Sequence, residues 1–213
     1  MPEPIVIIGC GGLGREIWAV VRALNEATAN CWNPLGFVDD GPTELNLKRV
    51  ARLGAPFLGP VATLAQLDQE TQYIIGIGDP RVRAAVARRI TQYGLSAAQL
   101  IHPTATVGPD TRIGSGVVLF TGAAVTTNVE LGDHVHINQN ASIGHDSVLE
   151  DYVTINPLAA ISGDCHIGAG AMVGTTAAVL QGLRVGAGAT VGASACVVRD
   201  VPADSIVKGV PAR

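Results

Sequence analysis

A histidine followed by an aspartate, His145-Asp146 in the segment "NASIGHDSVLEDYVTINP", is the pair of side chains in this sequence best suited to acid–base chemistry. A neutral imidazole can take a proton from an amine or a hydroxyl while that group attacks an acyl carbon. A neighbouring carboxylate can hold the imidazole in one tautomer and stabilise the imidazolium that forms. The pair therefore indicates a general base. The simpler alternative is a solvent-facing pair without a function.

The pair lies inside a strict repeat with a period of six. From Ile101 to Val197, seventeen positions spaced six apart are all Ile, Val or Leu, and Gly follows eight of them. Small residues such as Ala141 often stand two positions earlier. This period is typical of a hexapeptide β-helix, in which three units close a triangular coil and stacked coils bury the aliphatic column. Ile143 then points inward, and His145, at the next corner, points away from the core.

The first part of the chain follows another pattern, in which strands alternate with helices. Strands are predicted at "IVIIG" (5–9), "LGFVDD" (35–40) and "YIIGIG" (73–78), and a helix at "GLGREIWAVVRALNEA" (12–27). Asp79 and Pro80 have the residue types of an N-cap and a first helical position, and Thr63 is expected to cap a short helix. The order predicts a small Rossmann-like α/β domain with a parallel sheet.

The two patterns divide the chain into two predicted domains, the α/β domain over 1–97 and the β-helix over 98–213. The last segment, 197–213, leaves the period of six. Pro202 and Pro211 lack the backbone N–H that a ladder needs, so we expect a tail rather than a simple continuation of the repeat.

A glycine-rich loop, "GCGGLG" (9–14), connects the first strand to the first helix. By itself the G-x-G-x-x-G pattern suggests a dinucleotide site, and Asp39 and Asp40 end the second strand, where a ribose-binding acid would lie. The domain is barely half the size of a full dinucleotide fold, which argues against an NAD-dependent oxidoreductase. A tight turn without a ligand remains an alternative.

Composition excludes several classes of protein. The 213 residues carry a net charge of −4 without a basic run, so nucleic acid is not an expected partner. The four cysteines are far apart and show neither metal-ligand spacing nor a disulfide framework. The N-terminal segment "MPEPIVIIGC" has neither a basic region nor a long apolar stretch, so we expect no signal peptide and no membrane span. A reducing cytoplasm is the predicted location.

With these segments in view, the chain resembles the sugar acyltransferases of the left-handed β-helix superfamily. It is similar above all to the bacterial nucleotide-amino-sugar N-acetyltransferases of bacillosamine and perosamine type, and also to sialic acid O-acetyltransferases. The motifs that carry the resemblance are "GCGGLGRE", "FVDD", "IGDPRVR", "IHPTA", "IGHD" and "KGVPAR". The resemblance implies acetyl-CoA or another acyl-CoA as co-substrate, a nucleotide sugar as substrate, no metal, and a homotrimer with active sites between neighbouring subunits.

The resemblance also assigns roles to individual residues. It makes His145 the general base for direct acyl transfer, with Asp146 as its partner and Gly163 as the backbone donor to the oxyanion. Some relatives carry a second histidine where this sequence has Thr154. The remaining implied contacts are Gly163, Thr175, Gly192 and Ala193 for acyl-CoA, Gly11, Gly12 and Gly14 for the diphosphate, and Asp39 and Asp40 for the nucleoside. Thr154 is expected to contact the substrate. Asn138 and Asn156 follow aliphatic positions where Gly is common, and each is either an amide of the substrate cleft or a turn residue.

Alternative functions remain at this point. A sugar O-acetyltransferase would use the same base on a hydroxyl. A zinc carbonic anhydrase of the same fold would need a His-x4-His pair, which the sequence lacks. A nucleotide-sugar-binding scaffold would have no need of the His-Asp pair. Among the other candidates, His134 and His136 are weaker predictions for the substrate cleft, Cys165 is expected to be a core thiol, and His166 a solvated residue.

Overall fold

The computed structural model describes residues 1–29 and 31–213. Within them, a five-stranded parallel sheet with three α-helices comes first. The strands are β1 (Glu3–Ile8), β2 (Trp32–Val38), β3 (Phe57–Gly59), β4 (Gln72–Ile75) and β5 (Ser96–Ala97), in the order β3-β2-β1-β4-β5. The helices are α1 (Gly12–Ala27), α2 (Glu44–Arg52) and α3 (Pro80–Ile90), with 3₁₀ turns at Val61–Gln66 and Thr91–Tyr93. The predicted α/β fold is confirmed.

The helix N-termini show where a capping residue was enough to predict the start of a helix. The Asp79 carboxylate caps α3, as predicted, by accepting two backbone N–H groups at 2.9 and 3.0 Å. The prediction for Thr63 is wrong, because Thr63 lies inside the 3₁₀ turn Val61–Gln66, which has no side-chain cap. Helix α2 was not predicted. Its cap is Thr43, whose hydroxyl accepts the Asn46 backbone N–H at 3.1 Å.

The rest of the chain winds into stacked triangular coils, and each side of a coil contains one short strand. These strands are β6 (Leu100–Ile101), β7 (Thr106–Val107), β8 (Arg112–Ile113), β9 (Val118–Leu119), β10 (Ala124–Val125), β11 (Glu130–Leu131), β12 (His136–Ile137), β13 (Ser142–Ile143), β14 (Val148–Leu149), β15 (Thr154–Ile155), β16 (Ala160–Ile161), β17 (His166–Ile167), β18 (Met172–Val173), β19 (Ala178–Val179), β20 (Arg184–Val185), β21 (Thr190–Val191), β22 (Cys196–Val197) and β23 (Ile206–Val207). Every aliphatic position of the repeat is the second residue of a strand, and those within the stack, such as Ile143 and Ile155, are fully buried. The predicted left-handed β-helix class is confirmed.

The strands form three parallel sheets, which we call faces. Face 1 contains β6, β9, β12, β15, β18, β21 and β23, face 2 contains β7, β10, β13, β16, β19 and β22, and face 3 contains β8, β11, β14, β17 and β20. Each strand pairs with its equivalent in the next coil, as Ser142 does with Ala160 and Glu130 with Val148. The corner between faces 1 and 2 is called edge 1–2, and the corner between faces 2 and 3 is called edge 2–3.

The tail leaves the period of six but, contrary to our expectation, stays in the ladder. Val201 forms a bridge with Val185, and β23 pairs with β21 in parallel. In both pairs the partners lie closer together in sequence than the partners of the preceding coils, so the last coil is shortened. Pro202 lies at a corner and Pro211 follows β23, so neither proline has to donate a ladder hydrogen bond.

Face 1 is covered by the α/β domain. Ile17 and Val20 of α1 belong to one apolar cluster with Val118 and Phe120 of face 1, and all four are buried. The outward residues of the first four strands of face 1, namely Leu100, Val118, His136 and Thr154, are therefore buried in the interface between the domains, whereas Met172 and Thr190 are partly exposed and Ile206 is exposed. No helix of the two described stretches is long and apolar enough to cross a membrane.

Candidate active site

The local fold turns the His145 side chain away from the β-helix core. Ile143 fills the core, and Gly144 follows where the backbone of the next coil passes so closely that a side chain would collide with the Gly163 nitrogen. His145 then stands on edge 2–3 with its side chain 52% exposed. Its Nδ1 lies 2.6 Å from Asp146 Oδ2. With Nδ1–H donating to this carboxylate, Nε2 is the nitrogen left free to take a proton.

A residue that was not predicted, Asn128, completes this arrangement. It lies 18 residues before Asp146, one coil away on the same edge, and its Nδ2 donates to Asp146 Oδ1 at 2.6 Å. The Asn128 amide and the His145 imidazole together hold the pKa of Asp146 below its ordinary value. The chain Asn128–Asp146–His145 thus keeps the carboxylate ionised and oriented. The only sequence signal for this contact is the spacing of 18 residues between Asn128 and Asp146. It becomes informative once a coil is known to contain 18 residues.

Replacing Asn128 with alanine is expected to reduce kcat about threefold to tenfold, because the carboxylate that orients His145 loses a hydrogen bond. Without the amide, the pKa of the Asp146 carboxyl should rise from its lowered value towards the ordinary one. A carbon-13 NMR titration of the Asp146 carboxyl measures this rise directly. Asn140→Ala, on edge 1–2, is the matched control and should leave the Asp146 titration in place. An unmoved Asp146 pKa in Asn128→Ala would argue against the role given to Asn128.

Gly163, the predicted oxyanion donor, lies directly beneath the His145 ring. A Cβ atom at this glycine would be 2.5 Å from both Cε1 and Nε2 of His145. No described residue, on either side of position 30, accepts a hydrogen bond from the Gly163 backbone N–H. An unpaired donor next to the free imidazole nitrogen is what an oxyanion site requires. The structure therefore brings His145, Asp146 and Gly163 together on one edge.

The predicted acyl-CoA contacts Thr175, Gly192 and Ala193 lie on edge 1–2, across face 2 from His145. Thr175 and Ala193 stand one coil apart on this edge. Asn138, on the same edge, is buried, and its Nδ2 donates to the Ile155 carbonyl at 2.9 Å, so its amide group bridges two coils. A single chain does not bring the residues of the two edges together.

The remaining histidines and the core cysteine are placed differently from the active-site pair. His134 and His136 are buried in the domain interface and line no open cleft, which corrects the weaker prediction made for them. Burial lowers the pKa of both. Cys165 is a buried thiol, as expected. His166 is partly exposed on face 3, where its Nε2 lies 2.7 Å from Glu150 Oε1.

A second site lies in the α/β domain, at the carboxyl ends of β1, β2 and β4. It is a cleft of about 400 Å³ that gathers the predicted residues Gly11, Gly12, Asp39 and Asp40, with Arg89 opposite them. Open space surrounds Gly11 and Gly12 at the N-terminus of α1, where backbone N–H groups favour an anion. The cleft therefore has the form of a phosphate-binding site at the switch point of a parallel sheet.

Both acids of the cleft are held by backbone groups. Asp39 accepts the Cys10 and Gly41 N–H groups at 3.0 Å each. Asp40 accepts the Val61 N–H at 2.8 Å and lies 2.5 Å from Arg89. The Val61 N–H and the Arg89 guanidinium lower the pKa of Asp40, which keeps it charged.

Two further predicted substrate contacts, besides the buried Asn138, are not placed in an open cleft. Gly14 is buried where α1 crosses the sheet, and a Cβ there would collide with the Gly9 carbonyl, so this glycine permits close helix–sheet packing. Thr154 is buried beneath the α/β domain, where its hydroxyl accepts from Arg83 and donates to Gly78. It lies half a coil from His145 and shares no contact with it within the chain.

The placement of the His, Cys, Asp and Glu side chains shows whether they could hold a metal ion. Among residues 1–29 and 31–213, no group of three or more His, Cys, Asp and Glu side chains could hold a metal ion. The His145 edge supplies acid–base groups and a backbone donor, which together suit acyl transfer.

Comparison with known proteins defines the family. Residues 4–90 match the family model described as the PglD N-terminal domain. PerB from Caulobacter crescentus, solved in complex with CoA and GDP-perosamine, is 33% identical, with a TM-score of 0.86 over 99% of this chain and 96% of its own. The acetyltransferase domain of PglB from Neisseria gonorrhoeae, in complex with acetyl coenzyme A, is 32% identical, with a TM-score of 0.85 over 100% and 99%. WeeI from Acinetobacter baumannii is 28% identical, with a TM-score of 0.85 over 98% of each chain. None of the curated proteins matches the chain by sequence.

The fold and the His145 edge define an acyltransferase of the left-handed β-helix class. At this identity and coverage, the chain belongs to the family of left-handed β-helix acetyltransferases that includes PerB and the PglB acetyltransferase domain. The resemblance drawn from the sequence motifs is confirmed, and the enzyme is an acetyltransferase.

Proposed function

We propose that this enzyme transfers the acetyl group of acetyl-CoA to the amino group of a nucleotide-linked amino sugar, with His145 as the general base. The observation that carries the proposal is the imidazole with a free Nε2, held by Asp146 and lying over the unpaired N–H of Gly163. The glycine-lined cleft in the same chain supplies a site for the nucleotide diphosphate. PerB, which was solved with CoA and GDP-perosamine, supports these two ligand classes.

The reaction needs no covalent intermediate with the enzyme. The substrate nitrogen attacks the thioester carbonyl carbon while His145 Nε2 removes the proton of the amine. The Gly163 N–H donates to the oxyanion of the tetrahedral intermediate. The C–S bond then breaks, the imidazolium returns the proton to the CoA sulfur, and the products are the N-acetylated sugar and CoA. Asp146 stabilises the imidazolium throughout.

A homotrimer would bring the two edges together, and we include it in the proposal. The outward residues of face 2 are small, namely Thr106, Ala124, Ser142, Ala160, Ala178 and Cys196. Such a face lets another copy approach closely and places edge 2–3 of one subunit beside edge 1–2 of its neighbour. Acetyl-CoA would then reach His145 and Gly163 of one subunit and Thr175 and Ala193 of the other. The four cysteines are free thiols, which fits the proposed cytoplasmic location.

Arg89, which the sequence reading did not single out, is expected to contribute to nucleotide binding. It faces Asp40 across the cleft and is the one cation among the cleft residues described. Arg89→Ala should raise the KM for the nucleotide sugar roughly tenfold, because a charge-assisted contact to phosphate is lost, and leave the KM for acetyl-CoA unchanged. The matched control is Arg88→Ala, one residue earlier on α3 and outside the cleft. Equal KM values in both variants would exclude this role.

The direct test is CoA thiol release from acetyl-CoA with a panel of UDP-, dTDP- and GDP-linked amino sugars. Turnover with at least one of them, and none with the corresponding hydroxyl sugars, is the expected result. Turnover with hydroxyl sugars alone would replace the proposal with a sugar O-acetyltransferase. No turnover, together with nucleotide-sugar binding but no acetyl-CoA binding, would indicate a binding scaffold.

A further inference from the structure

A fully buried arginine, Arg83, joins the two domains. It lies on α3 and has no exposed surface. None of the ion pairs between described residues includes Arg83, so no carboxylate forms a salt bridge with it, and the nearby Asp79 charge offsets the cost of burial only in part. Burial lowers the pKa of its guanidinium to about 10. A buried, unpaired cation is costly to a fold, and its presence calls for a reason beyond packing.

The reason lies in the partners of the guanidinium, which come from both domains. Nη1 donates to the carbonyls of Ile77 and Gly78 at 2.8 and 3.1 Å. Both of these residues line the nucleotide cleft. Arg83 therefore binds the segment that forms one wall of the cleft.

The other two nitrogens of Arg83 bind the β-helix. Nε donates to the His134 carbonyl at 3.0 Å, and Nη2 donates to the Tyr152 carbonyl at 2.7 Å and to Thr154 Oγ1 at 2.8 Å. The Thr154 hydroxyl in turn donates to the Gly78 carbonyl at 3.1 Å. A planar guanidinium that bonds to backbone on both sides holds the two segments in one relative position.

Arg83 holds two successive coils, and the second of them carries the catalytic residue. The segment 145–162 makes one turn of the β-helix, with Tyr152 and Thr154 half a turn from His145. The coil is fixed by parallel pairing to the coils before and after it, so its parts cannot shift independently. In a trimer with its threefold axis parallel to the β-helix, equivalent coils of all subunits lie at the same height.

We propose that Arg83 and Thr154 are positioning residues for the transfer reaction. Through Ile77 and Gly78, they set the height of the nucleotide cleft along the β-helix so that the sugar end of the bound nucleotide sugar reaches the level of His145. Some relatives carry a second histidine at the position of Thr154. In this chain Thr154 serves the contact with Arg83 and Gly78, and not the thioester. This inference rests on the proposed function.

The first test uses a pair of variants at Thr154. Thr154→Val keeps the shape of the side chain and removes the hydroxyl, whereas Thr154→Ser retains it. Thr154→Val should raise the KM for the nucleotide amino sugar about threefold to tenfold, the range for one lost hydrogen bond. The KM for acetyl-CoA should stay unchanged, and Thr154→Ser should restore the wild-type value. A variant that merely lost folded enzyme would show a lower kcat with both KM values intact, and that outcome would overturn the proposal.

A second test does not depend on catalysis. Arg83→Lys keeps the charge but cannot reach the carbonyls of both domains. Hydrogen exchange should speed up at the amides of residues 76–79 and 152–155 and stay unchanged in α1. Unchanged exchange at 76–79 in a folded Arg83→Lys variant, or in Thr154→Val if Arg83→Lys does not fold, would overturn the inference. If the wild type acetylates no nucleotide amino sugar, the proposed function fails, and the exchange result alone decides whether Arg83 couples the domains.

Discussion

Replacing His145 with alanine is expected to lower kcat for acetyl transfer by roughly 10²- to 10⁴-fold, the usual contribution of a positioned general base. The imidazole is the group with a free nitrogen over the Gly163 N–H, and Asp146 cannot replace it because its carboxylate is already bound by Asn128. The fold should not change, since the side chain is half exposed and contributes nothing to the aliphatic column. The affinity for acetyl-CoA should stay close to the wild-type value.

The measurement is steady-state thiol release with the best acceptor from the panel, together with circular dichroism and a binding isotherm for CoA. The chain supplies its own matched control in His166, another partly exposed histidine of the β-helix with a carboxylate partner at 2.7 Å. His166→Ala should keep kcat because face 3 lacks the glycine donor found at His145. If His145→Ala turned over as fast as the wild type, the base would have to be sought elsewhere, and His134 and His136 are too deeply buried to take its place.

Gly163→Ala is expected to reduce kcat by roughly 10²-fold, although it adds a single methyl group. The new Cβ would lie 2.5 Å from Cε1 and Nε2 of His145, so the ring must move off its catalytic position. The methyl group would also crowd the N–H that we assign to the oxyanion. The equivalent corner positions of the neighbouring coils hold Thr127, His145 and Gln181, which shows that the backbone there accepts side chains. The collision is therefore specific to the histidine.

A double mutant separates this collision from a general defect. In the His145→Ala background the ring is absent, and Gly163→Ala should leave the melting temperature unchanged there while lowering it in the wild-type background. Thermal unfolding of the four proteins of this cycle measures the coupling. If Gly163→Ala had wild-type kcat, the oxyanion role of Gly163 and its contact with the ring would both be wrong.

The β-helix could be predicted from sequence because its rule is local and repeated. Each flat side must bury one aliphatic residue, so the period marks one inward position on every side from Ile101 to Val197, and a second, smaller inward residue lies two positions before most of them. The same rule says nothing about what covers the outward positions. His136 and Thr154 face outward from their strands and are nevertheless buried, because the α/β domain covers face 1. Arg83 was not predicted to be buried, because an arginine on a helix normally faces solvent and the repeat does not show that the α/β domain covers face 1.

The candidate site divides along similar lines. The roles of His145, Asp146 and Gly163 were predicted from the family resemblance of the motif, and the coil length explains why residues 145 and 163, which are 18 apart, lie in contact. Gly14 was placed in the cleft because the glycine pattern alone does not distinguish a residue that contacts phosphate from one that packs helix against strand. Asn128 was not predicted, because the sequence does not show that its amide meets the Asp146 carboxylate on the folded edge.

The uniform sequence spacing of the rungs has a consequence for how the chain folds. Each new coil before the shortened last one closes a loop of the same length onto the coil before it, so the entropic cost of adding a coil is the same at every such step. Contacts this local in sequence favour rapid growth from a few paired coils, in contrast to the slow folding of most all-β topologies. The catalytic coil lies mid-way along this stack. If growth begins at the N-terminal coils, His145 and Gly163 come into contact before the C-terminal coils have been added.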